Sequence, residues 1–388
     1  MTVIFENASV ITEREIKENY AVVVSDDGKI QYVGSNDDKP VIDGTRIDLK
    51  GRFLSPGFIN IHVHGGNGIT FGHNDLGAEL NTYSAWAAKN GVTGFLCSIA
   101  APERNELTDL ISSYADLMNN DFPGAACVGM HLEGPFMNVE KKGAFHPDWL
   151  RLPSREEAQD YIKAGKGWVK QITIAPEMPD AAAVAKIFDD NGVTAALGHS
   201  NADFETASQA LKNSFTHVTH TYNAQSSLNH RLPGVVGAIL SSDRITAEII
   251  SDMVHIHPAA IKVLVRCLGT DRVVIITDAM AGAGMADGKY VLVGYEVTVK
   301  DGIALLEDGT LAGGISTMDR CVSNMIEKVG VPMVDAVRMA SLNPARVIKE
   351  DDRLGSIAVG KNASLIVIDE DVKPYLTMVN GKIVHNVL

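Results

Sequence analysis

Long apolar runs are missing from this chain of 388 residues. No stretch of about 18 uncharged apolar residues occurs, so no membrane-spanning helix is expected. Basic runs are missing too. The net charge is −14, from 34 Lys and Arg against 48 Asp and Glu, and no cluster of the kind that marks a nucleic-acid or membrane-surface binder is present. An anionic substrate therefore needs a local cationic patch. Cysteine is scarce: Cys97, Cys127, Cys267 and Cys321 lie far apart in apolar surroundings, without a C-x-x-C pair. That excludes a disulfide framework or thiolate metal site as the first reading and favours buried free thiols in a reducing compartment. The stretch Met1-Thr2-Val3-Ile4-Phe5-Glu6 has neither a charged n-region nor an apolar core. No signal peptide is expected, and the protein is read as cytoplasmic.

What the chain does contain is 45% hydrophobic residues, enough for a large core. Residues 1–54 read as short strands with turn signals, in the style of antiparallel hairpins, and residues 349–388 repeat that style with a turn at Asn380-Gly381. The two termini are expected to build one small β-sandwich domain. Between them, residues 55–348 alternate apolar strand-like runs with helical segments such as Leu80 to Asn90, Ala181 to Asn191 and Phe204 to Asn213. Strand candidates run from Phe58 to His64, Gly94 to Ile99, Ala126 to Glu133, Gln171 to Pro176, Thr194 to His199, Thr216 to Tyr222, Ile245 to Ser251 and Val273 to Asp278. This count favours an α/β fold with a closed (β/α)8 TIM-like barrel. An open doubly wound sheet comes second, because no G-x-G-x-x-G follows the first strand. A β-hairpin insertion near 289–312 is expected either over the barrel rim or joined to the β domain. The small-residue loop Gly309–Gly314 suits close approach of a ligand to the backbone, and equally a plain turn.

In such a barrel, reactive groups sit at the C-terminal ends of the strands. The first strand ends in His62-Val63-His64, and residues i and i+2 of a strand share a face, so both imidazoles can point at one atom. An isolated pair of this kind is as well explained by polar residues where a strand meets solvent. The other strand ends change that balance: Glu133, His199, His220 and Asp278 each close an apolar run, and His255 follows the seventh. Together His62, His64, His199, His220, Glu133 and Asp278 make a mixed nitrogen and oxygen set suited to zinc, or to iron, manganese or cobalt. The set can take two divalent ions if Glu133, midway in strand order, bridges. Asp278 is then placed for general acid and base work. His73, His146, His217, His257 and His385 lack a partner pattern and read as structural. His230 reads as a surface pair with Arg231 or a phosphate contact, and Arg231 is the best cationic candidate for an anionic substrate.

The motifs cover nearly the whole chain: Pro56-Gly57-Phe58-Ile59 into His62-Val63-His64-Gly65, His131-Leu132-Glu133-Gly134-Pro135-Phe136 with Lys141-Lys142-Gly143-Ala144, Gly198-His199-Ser200, Thr219-His220 with Asn223-Ala224, Thr277-Asp278-Ala279-Met280, Gly309-Thr310-Leu311-Ala312-Gly313, and Asn343-Pro344-Ala345. In combination they resemble the amidohydrolase superfamily and, within it, the deacetylases of N-acetylated hexosamine 6-phosphates. The resemblance implies hydrolysis of the N-acetyl group of N-acetyl-D-glucosamine 6-phosphate. The galactosamine epimer is the alternative, and an amidohydrolase acting on another amide is a further one. It implies one or two divalent ions per subunit, a first held by Glu133, His199 and His220 and a second by His62, His64 and Asp278. Asp278 and His255 are the implied catalytic pair, Asp278 as proton carrier. Substrate contacts fall on Ala144, Asn223, Ala224, His255, Leu311, Ala312 and Gly313, with Arg231 reaching phosphate from the neighbouring subunit of a homodimer. Neither nucleic acid nor membrane is an expected partner. Three departures from the family pattern, Phe145, Gln225 and Met253, are expected in the substrate pocket.

Overall fold

The computed structural model describes residues 2–388. The chain is an α/β protein, a (β/α)8 TIM-like barrel with a small β-sandwich domain built from both termini. Eight parallel strands, Phe58–Asn60, Val92–Ile99, Ala126–Glu133, Val169–Ile174, Thr194–Leu197, His217–Val218, Thr246–Ile250 and Val273–Ile276, pair each with the next in sequence. The first and last meet through other bonds. Asn60 Nδ2 donates to Thr277 Oγ1 at 2.7 Å, Asp278 N to His62 O at 3.0 Å, and His64 N to Ala279 O at 2.8 Å.

Several strands are shorter than their apolar runs predict. The first stops at Asn60 rather than His64, because the backbone of residues 61–64 turns to bond with the chain after the eighth strand. The sixth keeps only His217–Val218, since the backbone bends at His220. One face of the strands is apolar and packs with the helices, as a helix-covered sheet requires, while the other carries buried polar side chains such as His131, Gln171, Thr173 and Glu248. The helix Ala181–Asp190 shows how the covering is specified: Ala181, Val184, Ala185 and Phe188 recur at one face and are buried. The first barrel helix starts a turn earlier than predicted, at Leu76, because Asp75 accepts the Ala78 amide and caps it.

Strands Val3–Ile11, Ile16–Val24, Ile30–Ser35, Thr45–Asp48 and Phe53–Pro56 join Leu365–Ile368, Pro374–Val379 and Lys382–Asn386 in one hydrogen-bonded sheet. It is not purely antiparallel: Val3–Ile11 runs parallel to both Thr45–Asp48 and Phe53–Pro56. Phe5, Val22, Leu54, Val367 and Leu376 belong to its own apolar core. The expected turn at Asn380-Gly381 forms with both residues in the left-handed region.

The insertion folds as a separate antiparallel sheet, Gly288–Leu292, Tyr295–Lys300 and Ile303–Leu305. Its Leu292, Val297, Val299 and Ala304 pack with Met137, Phe145 and Met280, which sets it over the rim of the barrel mouth and not in the terminal domain. In the glycine loop that follows, the last glycine serves backbone packing. A Cβ on Gly314 would lie 2.4 Å from Thr277 O, so glycine is needed there for close packing against the end of the eighth strand. Cys97, Cys127 and Cys321 are buried free thiols, but Cys267 is exposed on the outer face of the helix Pro258–Leu268, contrary to the buried reading. Among the described residues no helix is long and apolar enough to cross a membrane.

Candidate metal centre

Backbone geometry brings the candidate ligands to one point. His199, His220 and Asp278 each follow a barrel strand and each has positive φ, 48°, 23° and 48°. Non-glycine residues in this region cost on the order of 1–3 kcal/mol and persist where the surrounding structure holds them. Here the left-handed step ends the strand and keeps the side chain at the barrel mouth while the chain moves off into a loop.

Two clusters result. His62, His64 and Asp278 have ligand atoms within 4.8 Å of one another, and Glu133, His199 and His220 do likewise. Glu133 lies between them: its Oε1 is 3.2 Å from His199 Nε2, 3.1 Å from His220 Nε2 and 3.3 Å from His62 Nε2, and its Oε2 is 2.8 Å from His64 Nε2. Asp278 Oδ1 is 3.4 Å from His62 Nε2 and 3.5 Å from His64 Nε2. All six side chains are buried or nearly so, Asp278 being the most open at 13%.

The donor set fits a cation. His199 Nδ1 donates to Lys141 O at 2.7 Å, which leaves Nε2 as a lone pair, yet that atom faces Glu133 Oε1 and lies 3.0 Å from His220 Nε2. His62 Nε2 is buried without a hydrogen-bond partner. Lone pairs turned on one another and on a carboxylate are repulsive unless positive charge sits among them. Burial pushes Glu133 up, but His62, His64, His199 and His220 outweigh it and hold its carboxyl well below the carboxylate range. Burial lowers His62, and Glu133, Asp278 and Glu248 more than reverse this.

Behind the ligands lies a polar floor. His131 is fully buried, bonded through Nδ1 to Ser98 Oγ and through Nε2 to Thr173 Oγ1, both at 2.9 Å, and burial holds its pKa well below the ordinary value. His217, read as structural, bonds Thr246 Oγ1 and Glu248. Glu248 escapes the sequence reading. The signal available was a lone charged residue inside the apolar run Ile245–Ile250, a place where a carboxylate must find partners.

The clusters form the base of a cleft of about 480 Å3 lined by Ala144, Phe145, Asn223, Ala224, His255, Leu292, Val293, Leu311 and Gly313, among others. His255 is fixed by Asp252: its Nδ1 donates to Oδ2 at 2.7 Å and its backbone N to Oδ1 at 2.9 Å. Burial lowers the His255 pKa, but Asp252 and Asp278 raise it above the ordinary value overall. Three expectations need correction. Ala312 does not line the cleft; it is fully buried, and its N–H donates to Ala304 O. Gln225 and Met253 do not line it either. Gln225 bridges Tyr222 N and Thr219 O within its loop, and Met253 packs against the barrel core at φ 68°. Arg231 is exposed and outside the lining of this chain's own cleft. Lys170 pairs with Glu350 at 2.9 Å and plays no part in the centre.

Residues 53–384 match the model of the amidohydrolase family. An N-acetylglucosamine-6-phosphate deacetylase of Vibrio furnissii is 35% identical over 382 residues, covering 98% of this chain and 95% of the relative. An N-acetylgalactosamine-6-phosphate deacetylase of Escherichia coli O157:H7 is 34% identical over 330 residues, covering 85% of this chain and 87% of the relative. The crystal structure of N-acetylglucosamine-6-phosphate deacetylase from Pasteurella multocida matches with a TM-score of 0.91 at 33% identity, covering 99% of each chain.

Proposed function

The chain belongs to the amidohydrolase family, and on that premise we propose that it hydrolyses the N-acetyl group of N-acetyl-D-glucosamine 6-phosphate, giving D-glucosamine 6-phosphate and acetate. The observation that carries the reading is the pair of ligand clusters at the base of one cleft, with Asp278 the most open of the six side chains. A cleft of about 480 Å3 has the capacity for a phosphorylated hexosamine.

Glu133, His199 and His220 would hold one divalent ion, and His62, His64 and Asp278 a second, with Glu133 facing both. Zinc suits this donor set, as do iron, manganese and cobalt. Bound there, a divalent ion lowers the pKa of water and polarises the amide carbonyl. Asp278 takes the proton from the attacking water and delivers it to the departing nitrogen. The water oxygen bonds to the acetyl carbon, the C–N bond breaks, and the amine leaves carrying that proton. His255, its Nδ1 occupied by Asp252, has Nε2 for the substrate. Ala144, Asn223, Ala224, Leu311 and Gly313 surround the sugar. We assign Arg231 to the phosphate held by a neighbouring copy of the chain, so that the working unit is a homodimer. Its exposure outside its own cleft supports this.

Acetate release from the two epimeric N-acetylhexosamine 6-phosphates, with metal analysis of the same sample, tests the reading. The account expects preference for the gluco epimer and protein-bound divalent metal. Preference for the galacto epimer would move the chain to the activity named for its Escherichia coli relative. Release from neither overturns the deacetylase reading.

A further inference from the structure

Under the two ligand clusters lies a carboxylate that belongs to neither. Glu248, in the seventh barrel strand, is 0% exposed and accepts four hydrogen bonds. Its Oε2 takes His62 Nδ1 at 2.9 Å and the His220 backbone N at 3.0 Å. Its Oε1 takes Gln171 Nε2 at 2.7 Å and His217 Nε2 at 3.2 Å. A carboxylate has about four acceptor positions, so this one is saturated, and every donor comes from another part of the barrel.

The consequence lies in the tautomer. An ionised carboxylate only accepts, so His62 must turn its Nδ1–H towards Glu248 and leave Nε2 as a lone pair. That Nε2 is the buried, partnerless atom that faces Glu133 and Asp278. The same oxygen that orients His62 also holds the backbone of His220, and His220 belongs to the other cluster. A single atom therefore fixes one member of each cluster relative to the other.

We propose that Glu248 is the positioning residue that makes the His62, His64 and Asp278 cluster able to take a cation and sets its spacing from the Glu133, His199 and His220 cluster. The inference rests on the metal-dependent reading given above. A merely structural Glu248 would neutralise its neighbours and support the barrel, so that its loss would lower stability without changing how many ions bind.

The test uses the full chain, stripped of metal, as wild type, Glu248→Gln and Gln171→Met. Zinc alone is titrated against a competing chromophoric chelator, and the Tm of each metal-free protein is recorded. Wild type is expected to take two ions. Glu248→Gln, which turns an amide N–H2 towards donors, should keep the first and bind the second about 10–100-fold more weakly. Gln171→Met removes only one donor to Oε1 and should show a smaller loss at the same site. It carries the test if Glu248→Gln does not fold. Variants that bind both ions as tightly as wild type, whatever their Tm, overturn this assignment, as does a wild type that takes only one ion. A wild type that takes no zinc overturns the metal-dependent reading itself.

Discussion

The floor of the barrel mouth and its rim are held by opposite means. On the floor, His62, His131, His217, His220 and Glu248 are buried and hydrogen-bonded to partners contributed by several strands. On the rim, Arg231 is exposed, Leu311 and Val293 present apolar surface, and the three-stranded insertion packs on the mouth through a small apolar cluster. The contrast separates a fixed region from an adaptable one. Each orphaned group in a buried polar network costs about 1–3 kcal/mol, so few changes to the floor are free of cost. The rim carries no such constraint, so its residues can change at less cost.

The largest effect should come from the edge where the two meet. Asp278→Asn should lower kcat by about 10²–10⁴-fold while the Glu133, His199 and His220 cluster keeps its ion, measured as turnover together with metal content. Near-normal turnover would remove Asp278 from proton transfer. Next, Arg231→Ala should raise KM for the 6-phosphate about 10–100-fold, the loss of a charge-assisted contact, with kcat and Tm nearly unchanged. An equal rise with an unphosphorylated N-acetylhexosamine would contradict a phosphate contact. A third test concerns pH. Burial raises Asp252, but its bonds to His255 and nearby amides hold it below its ordinary value, while His255 is held above its own. The contribution of Asp252 is present above its unfolded pKa and lost as pH falls through the lower folded value. That of His255 is complete below about 6.5 and lost as pH rises through the higher folded value. Substrate affinity should therefore fall on the alkaline side as His255 deprotonates, and Asp252→Asn should move that fall to lower pH in a KM profile. An unmoved profile would separate the pair from binding. Smallest of all, Leu311→Ala should change stability by no more than about 0.5 kcal/mol and raise KM less than Arg231→Ala does, as denaturant titration and kinetics would show.

The floor was partly legible in the sequence and the rim less so, for a physical reason. Ligands that close apolar strand runs announce themselves because a barrel gathers its strand ends. His62, His64, Glu133, His199, His220 and Asp278 all meet where that rule puts them. Glu248 obeys the same physics but lies inside its run, where the sequence shows a charge without showing the His62 and Gln171 that satisfy it. On the rim, neighbours in sequence part company in space: Leu311 and Gly313 line the cleft while Ala312 between them turns to bond Ala304. Gln225 and Met253, expected in the pocket as departures from the family pattern, have side chains that serve the loop and the core. The parallel pairing of Phe53–Pro56 with Val3–Ile11 also left no local trace, since no turn joins the two strands.

The central claim is that six separated side chains cradle divalent cations at the open end of the barrel. Crystals grown with zinc and measured at its absorption edge test it most directly. The account predicts two anomalous peaks, one among Glu133, His199 and His220 and one among His62, His64 and Asp278, with Glu133 between them. No peak at either cluster, with these side chains turned apart, would contradict it.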